Sequence, residues 1–365
     1  MADRHLAQDL CYNPRRMLSL TPTELVELLI SLPAERTPFI WGPPGIGKSA
    51  LVRDAADLME LPCVTLLGTQ IAPEDLIGVP RIRAMGDSFA TEFCPPRAIL
   101  RPDPFLLFID ELNSAVPDVQ KAFYSLILDR RLGDYVLPAG SRVVGAGNRV
   151  EDRALVRPMA TALANRMVHI ALAPDAEAWL SWGANHGVHA LVLAFVRARP
   201  DRLFEQPPSD ATPAYPTPRA WHMLSDALHA VGEHLWPALA AGSVGDRAGA
   251  EFSAFAKRAL LAPSLEALAA GKAAVPRDPE LVYFLGASCV ARLASDSPAD
   301  GEMCGKVVAL LGAASKEVAV WTVDTVFSRK AKTQALVAFE QFVRTSGSQI
   351  LVDVIRLGRF TRDAR

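Results

Sequence analysis

Cysteine is scarce in this chain, and its spacing argues against both of its usual structural uses. The 365 residues include only five cysteines, which are Cys11, Cys63, Cys94, Cys289 and Cys304. Their number is odd, they are widely scattered, and no two have C-x-x-C spacing. This pattern argues against a disulfide framework and against a zinc site. His186 and His189 have no accompanying carboxylate pattern, so they do not suggest a metal site either.

Long apolar runs and a strong net charge are also missing. No apolar run reaches the roughly 18 residues that a membrane span needs, and the N-terminus lacks the charged-then-apolar order of a signal peptide. We therefore expect a cytoplasmic protein. The net charge of −2 gives no basic surface of the kind that usually coats nucleic acid. Half of the residues are apolar, and the length allows two or three globular domains.

The most informative segment that is present is rich in glycine and proline. Residues 42–49, GPPGIGKS, fit the pattern G-x-x-x-x-G-K-[ST] at every fixed position. A strand over 37–41 should lead into this loop, and a helix from Lys48 to Met59 should leave it with its positive end toward the ligand. Lys48 would reach the β- and γ-phosphates of a nucleoside triphosphate, and Ser49 would hold Mg²⁺. The predicted nucleotide-binding residues are Gly42, Pro43, Pro44, Gly45, Ile46, Gly47, Lys48, Ser49 and Ala50.

Two acids follow a buried strand about sixty residues later. Residues 105–109, FLLFI, are typical of a parallel strand buried on both faces, and Asp110 and Glu111 come directly after it. Open α/β sheets bind their ligands at this carboxyl end. Phosphoryl transfer needs one carboxylate for the metal and one group that orients water. We therefore expect Asp110 to share the Mg²⁺ with Ser49, and Glu111 to act as the base or to orient the attacking water.

A third apolar strand ends in an amide. Residues 142–147 are followed by Asn148, which could hydrogen-bond the γ-phosphate or the attacking water without adding charge. Asparagine is also common in ordinary turns. Its place behind the two preceding motifs favours a polar sensor of the nucleotide.

In this order the residues resemble the AAA+ ATPases, and several details resemble the MoxR-like branch that includes the CbbQ and NorQ groups. The similarity covers roughly residues 20–230. The details are residues 68–78, the acidic stretch 110–113, the segment 137–148 and the Pro-Arg-Ala at 218–220. The resemblance implies a Mg-ATP-dependent chaperone that forms a homo-oligomeric ring, a hexamer by analogy. It further implies a partner protein with a von Willebrand factor A-type domain.

The resemblance also carries two arginine roles onto this chain. Arg166 matches the arginine finger that reaches into the neighbouring subunit, although Arg153 and Arg157 compete for that role. Arg219 matches the second sensor on the helical lid. A planar guanidinium is well suited to the charge that spreads over the γ-phosphate oxygens. The alternative for Arg166 is a cation at a helix end, and for Arg219 a surface arginine.

The predicted architecture is an α/β core followed by helices. Residues 1–36 should hold a leading helix capped at Thr21 or Thr23. Residues 37–173 should form the AAA+ nucleotide-binding core, a parallel sheet with helices on both faces and strands at 37–41, 63–67, 105–109, 142–146 and 168–172. Residues 174–270 should form an all-α lid. Residues 271–365 should add further C-terminal helices, at about 279–293, 301–312, 316–326 and 330–356.

Two segments interrupt the core and should form hairpins, at residues 78–93 and 131–141. In the ATPases that the chain resembles, such insertions face a central pore or a partner. Ile82, Met85 and Tyr135 are the candidate contact residues. The alternative is that these side chains pack against the edge of the sheet.

Three functions remain open from the sequence. The leading hypothesis is a ring-forming ATPase that remodels or activates a partner protein. The same motifs would serve a nucleotide-gated assembly switch with slow hydrolysis. A DNA-directed ATPase is a third hypothesis, and the mild acidity of the chain argues against it.

Overall fold

Strands and helices alternate in the first half of the chain, and the second half is helical. The computed structural model describes residues 18–149, 159–206, 214–327 and 332–345. The strands in these residues are β1 Ser19–Leu20, β2 Thr37–Trp41, β3 Cys63–Leu67, β4 Val79–Met85, β5 Ser88–Cys94, β6 Leu106–Asp110, β7 Arg131–Leu132, β8 Tyr135–Val136, β9 Arg142–Gly147 and β10 Met167–Leu172. The helices in these residues are α1 Pro22–Ser31, α2 Lys48–Leu58, α3 Pro73–Ile77, α4 Pro117–Asp129, α5 Thr161–Ala164, α6 Ala176–Asn185, α7 Ala190–Ala198, α8 Pro218–Leu228, α9 Trp236–Val244, α10 Asp246–Ala259, α11 Leu265–Ala269, α12 Pro279–Arg292, α13 Pro298–Ala314, α14 Lys316–Phe327 and α15 Gln334–Thr345. Two compact units divide between Asp175 and Ala176.

The first unit is built on one parallel sheet. Six of the described strands pair in the order β1-β10-β2-β9-β6-β3, and each neighbouring pair is parallel. The predicted strands at 37–41 and 63–67 match β2 and β3, and the other three lie within one residue of β6, β9 and β10. The sequence did not predict β1, because two residues are too few to show an alternating pattern.

Alternate residues of the central strands pack into two separate cores. Leu107 and Val143 pack on one face of the sheet, together with apolar residues of α4. Phe108 and Val144 belong to the other core, which includes residues of α1 and α2. All of these side chains are almost completely buried, and burying each one contributes about 2 kcal/mol. The predicted α/β core with helices on both faces of the sheet is therefore confirmed.

Thr21 caps the leading helix. Its hydroxyl accepts a hydrogen bond from the Glu24 backbone N–H at 3.3 Å, and the Glu24 carboxylate accepts one from the Thr21 N–H at 2.8 Å. The bond from the Thr21 backbone lowers the pKa of Glu24. This reciprocal pair is a capping box, and it selects Thr21 over Thr23 as the start of α1.

Both inserted hairpins are present, but their apolar residues lie in different environments. In the β4–β5 hairpin, Ile82 is 74% exposed and Met85 is 62% exposed. The Tyr135 hydroxyl accepts from the Arg101 N–H at 3.2 Å and donates to the Arg101 carbonyl at 3.0 Å. Tyr135 is half-buried against the core of its own unit. The prediction of Tyr135 as an outward contact residue is therefore wrong, because its ring and hydroxyl both have partners within the chain.

The second unit is helical and has one hydrophobic core in its described residues. That core runs from Trp179 in α6 to Val343 in α15, so segments on both sides of the predicted 270/271 boundary contribute to it. The boundary itself stays a prediction. The helices expected at 279–293, 301–312 and 316–326 correspond to α12, α13 and α14. Of the helix expected at 330–356, the described part is α15. Among the described residues, no helix combines the length and apolar character that crossing a membrane requires.

A half-buried histidine in the second unit should make the stability of that unit depend on pH. The Nδ1 atom of His189 accepts from the Leu191 N–H at 3.2 Å and so caps α7. Its ring lies 4.8 Å from the ring of His229. Burial and, secondarily, the charge of His229 lower the pKa of His189 from 6.5 to about 4. The unfolded chain therefore takes up this proton at a higher pH than the folded chain does.

We expect the free energy of unfolding to be highest above pH 6.5 and to fall by up to about 3 kcal/mol as the pH drops from 6.5 toward 4. His189→Asn is the matched control, because asparagine caps a helix without titrating in this range. Urea unfolding followed by tryptophan fluorescence measures the effect, since five of the six tryptophans lie in the second unit. Equal pH dependence in the two proteins would contradict this prediction.

Candidate functional site

The glycine-rich loop joins β2 to α2 and wraps the ammonium group of Lys48. Lys48 is only 7% exposed, and its Nζ donates to the Gly42 carbonyl at 2.6 Å and to the Pro43 carbonyl at 3.1 Å. Gly45 and Gly47 have φ angles of 77° and 106°, in the left-handed region that favours glycine. The sequence therefore sets the path of the loop, and the loop brings Lys48 to the carboxyl end of β2.

The ends of three adjacent strands meet at this lysine. Its Nζ also donates to Asn148 Oδ1, just beyond β9, at 2.9 Å. The hydroxyl of Ser49 donates to Asp110 Oδ2, at the end of β6, at 2.8 Å. The structure thus brings Lys48, Ser49, Asp110 and Asn148 together, as the sequence led us to expect. Their catalytic roles stay predictions.

The oxygen atoms at this point suit a hard divalent cation. Mg²⁺ prefers hydroxyl, carboxylate and phosphate oxygens, and it is commonly held by one or two carboxylates together with the substrate phosphates. The Ser49 hydroxyl and the Asp110 carboxylate provide two protein oxygen ligands of these kinds. The described residues, this site included, contain no group of three or more His, Cys, Asp or Glu side chains that could hold a metal ion.

Glu111 occupies a strained backbone position beside this cluster. Its φ of 54° is left-handed, which costs a non-glycine residue about 1–2 kcal/mol. The Glu111 N–H donates to Asp110 Oδ1 at 3.0 Å, and Glu111 Oε2 accepts from the Thr69 hydroxyl at 2.8 Å. The turn therefore directs the carboxylate away from Asp110 and toward Thr69.

Thr69 is a site residue to which the sequence analysis gave no role. It follows Gly68, whose N–H donates to the Asp110 carbonyl at 2.8 Å. The pairing of β3 with β6 places Leu67 opposite Asp110, so the residues just beyond both strands are neighbours. The signal in the sequence was the position of Thr69 two residues beyond the end of a strand, but only the strand order shows that Glu111 is beside it.

Arg166 lies on the surface of the first unit. Its side chain is exposed, its Cζ lies 4.6 Å from the centroid of the Tyr124 ring, and its Nη1 donates to the Ala162 carbonyl at 2.6 Å. The contact with Tyr124 is a cation–π interaction, and together with the bond to Ala162 it holds the guanidinium against the surface of this unit. The competing candidates Arg153 and Arg157 fall outside the described residues.

The side chain of His169 connects the turn before Arg166 to β2, the strand that leads into the glycine-rich loop. The indole N–H of Trp41 donates to His169 Nδ1 at 2.9 Å, and His169 Nε2 lies 2.8 Å from the Ala164 carbonyl. Because Nδ1 accepts, Nε2 must carry the proton, which fixes a neutral tautomer. Burial lowers the pKa of His169 and favours the same form. The turn before Arg166 is thereby tied to the residue before Gly42.

Arg219 belongs to the second unit. It is exposed and is the second residue of α8, whose start is capped by the Thr217 hydroxyl accepting from the Ala220 N–H at 3.0 Å. A cation at a helix N-terminus is unfavourable with respect to the helix dipole. Its assignment as the second sensor stays a prediction.

Comparison with known families identifies the domain that carries these side chains. Residues 38–167 match the model of the AAA domain, dynein-related subfamily. Residues 38–167 form an AAA domain. AAA domains hydrolyse ATP, and this one brings together the lysine, hydroxyl, carboxylates and amide that such chemistry uses.

Comparisons with whole proteins give weaker information about this chain than the match to the AAA domain does. No curated protein matches the chain. Among solved structures, a proposed ATPase of Cytophaga hutchinsonii is 24% identical with a TM-score of 0.35, and the match covers 45% of this chain but only 50% of that protein. The RuvB Holliday junction branch migration motor of Thermotoga maritima is 17% identical with a TM-score of 0.36, and the match covers 68% of this chain and 81% of RuvB. NtrX of Brucella abortus is 14% identical with a TM-score of 0.33, and the match covers 71% of this chain and 54% of NtrX. These similarities are too low to assign a substrate or partner.

Lys48→Ala should weaken ATP binding to the AAA domain by roughly 100-fold, because it removes a charge-assisted contact to the phosphates. Titration with a fluorescent ATP analogue measures the change. Lys121→Ala is the matched control, because Lys121 is an exposed lysine of the same unit whose contact is with Asp118. Equal affinities of wild type and Lys48→Ala would exclude the loop as the phosphate site.

Proposed function

We propose that this chain assembles into a ring, a hexamer by analogy with the family it resembles, and that ATP hydrolysis by the ring remodels or activates a partner protein. The proposed partner has a von Willebrand factor A-type domain, which rests on the resemblance to MoxR-like ATPases alone. The observation that carries the ring is the position of Arg166. It is exposed on the same unit that holds Lys48, Asp110 and Asn148.

Within one subunit, each side chain of the cluster has a separate task. Gly42–Ala50 binds the triphosphate through the backbone and Lys48. Ser49 and Asp110 would hold Mg²⁺, whose positive charge would offset that of the phosphates. Glu111 takes up the proton of the attacking water, and Asn148 orients that water or the γ-phosphate. Arg219 is proposed to contact the nucleotide from the helical lid.

The β4–β5 hairpin supports action on a protein partner. The strand register places Ile82 opposite Thr91 and Ala84 opposite Phe89, so Ile82 and Phe89 lie on the same face. They are 74% and 77% exposed. These two exposed apolar side chains on one face support contact with a protein partner.

The ring can be tested by mixing two inactive variants. If Arg166 acts on the neighbouring subunit, Arg166→Ala alone should lose about 10³-fold in turnover. Random mixing with Lys48→Ala should then restore about a quarter of wild-type turnover, because a quarter of the interfaces regain both groups. Phosphate release measures both values.

Mixing Arg166→Ala with the double variant Lys48→Ala/Arg166→Ala is the control and should restore nothing. Failure of the first mixture to recover would rule out Arg166 as a finger in trans. Wild-type turnover of Arg166→Ala alone would have the same meaning.

The hairpin is tested by Ile82→Ser combined with Phe89→Ser. We expect this variant to lose the stimulation of turnover by a von Willebrand factor A-type partner, because it removes the apolar patch. Leu261→Ser is the control, since Leu261 is 86% exposed in the second unit and should keep the stimulation. Phosphate release with and without the partner measures both. Undiminished stimulation of the hairpin variant would contradict a contact role for this patch.

A further inference from the structure

Asn113 is a buried amide that connects the turn of Glu111 to the end of the sensor strand. It is 1% exposed and lies in the short 3-10 turn Leu112–Ser114, which starts from Glu111. Its Nδ2 donates to the backbone carbonyl of Asn148 at 2.9 Å. The same Asn148 accepts from Lys48 through its side chain. The backbone of Asn148 is thus held by Asn113, and its side chain is held by Lys48.

The side-chain oxygen of Asn113 indicates that this residue is needed for its N–H donor and not to fill space. The Oδ1 atom of Asn113 is buried and has no hydrogen-bond partner among the described residues. An unpaired buried carbonyl oxygen is unfavourable, and leucine has nearly the same shape without that cost. A Cβ on Gly147 would lie 2.0 Å from this Oδ1, so only glycine at 147 admits the amide. The fold therefore tolerates an unpaired buried oxygen at Asn113. The hydrogen bond from Asn113 Nδ2 to the Asn148 carbonyl is the interaction that offsets this cost.

We propose that Asn113 is a positioning residue for ATP hydrolysis. It fixes the main chain of Asn148, and hence its side-chain amide, relative to the carboxylate of Glu111. This inference rests on the proposed roles of Glu111 and Asn148. Because orientation of the reacting groups contributes strongly to rate, loosening this link should lower turnover while leaving the phosphate loop intact.

The first test separates turnover from binding. Asn113→Ala should lower kcat by roughly 10-fold or more, the usual effect of losing a partner that orients a functional side chain. ATP affinity should stay within about twofold of wild type, because the hydrogen bonds of Gly42 and Pro43 with Lys48, and of Ser49 with Asp110, do not involve Asn113. Asn113→Leu fills the space and should show the same split, which guards against a failure of the alanine variant to fold.

Ser141→Ala is the matched control, because it removes a buried hydrogen bond next to β9 but far from Asn148. Its hydroxyl accepts from the Phe105 N–H at 3.3 Å, at the opposite end of β9 from Asn148. We expect its kcat to equal that of wild type. Equal falls of kcat and ATP affinity in the Asn113 variants would mean a merely structural role and would overturn the proposal.

A double-mutant cycle tests whether Asn113 acts through Asn148. If it does, Asn113→Ala combined with Asn148→Ala should lose no more turnover than Asn148→Ala alone. The proposal would be overturned if the turnover losses of the two single variants multiplied in the double variant. It would also be overturned if Asn113→Ala had the kcat of wild type. Wild-type kcat of Asn148→Ala would instead refute the sensor role on which the proposal rests, so the two failures are distinguishable.

Discussion

The adjacency of β2, β9 and β6 in one parallel sheet is the constraint on which the site depends. Parallel strands end at the same edge, and neighbours lie about 4.8 Å apart, so side chains just beyond them come within hydrogen-bond distance. The close approach has a steric condition on β9. A Cβ on Gly145 would lie 2.8 Å from the Phe39 ring. Glycine in β9 therefore lets the phosphate-loop strand and the sensor strand pack together, and Lys48 reaches Asn148 as a result.

Hydrogen bonds connect the site side chains into a network. Asp110 accepts from the Ser49 hydroxyl and from the Glu111 N–H, and Asn148 accepts from Lys48. Lys48 and Asn148 are both almost completely buried. In a low-dielectric interior such bonds strengthen one another, and an unpaired member is costly. Each bond therefore helps to fix the position of both of its partners.

The sequence was informative where a motif and a strand pattern occur together. The loop at 42–49 and the strands on either side of it could be placed almost to the residue, because the spacing of fixed residues and the apolar runs are local properties. The roles of Thr69 and Asn113 could not be predicted. Each is an ordinary polar residue near a strand end, and its importance depends on which strand lies beside it. The sequence does not state that order.

The same limit explains the mistaken prediction for Tyr135. Both hairpins carry apolar residues, and the alternating pattern of a hairpin does not reveal which face another segment covers. In β8 the phenol finds its partner in the backbone of Arg101, 34 positions earlier in the chain. In β4 the side chain of Ile82 is left exposed. Long-range packing, and not local composition, separates the two.

Glu111 shows most clearly how chemistry outweighs local preference in this site. Glycine would adopt its left-handed backbone without strain, but glycine has no carboxylate. The strain of about 1–2 kcal/mol is offset by two contacts that the same turn creates, to Asp110 and to Thr69. In this turn the two consecutive acids accept from different hydroxyl groups, Asp110 from that of Ser49 and Glu111 from that of Thr69.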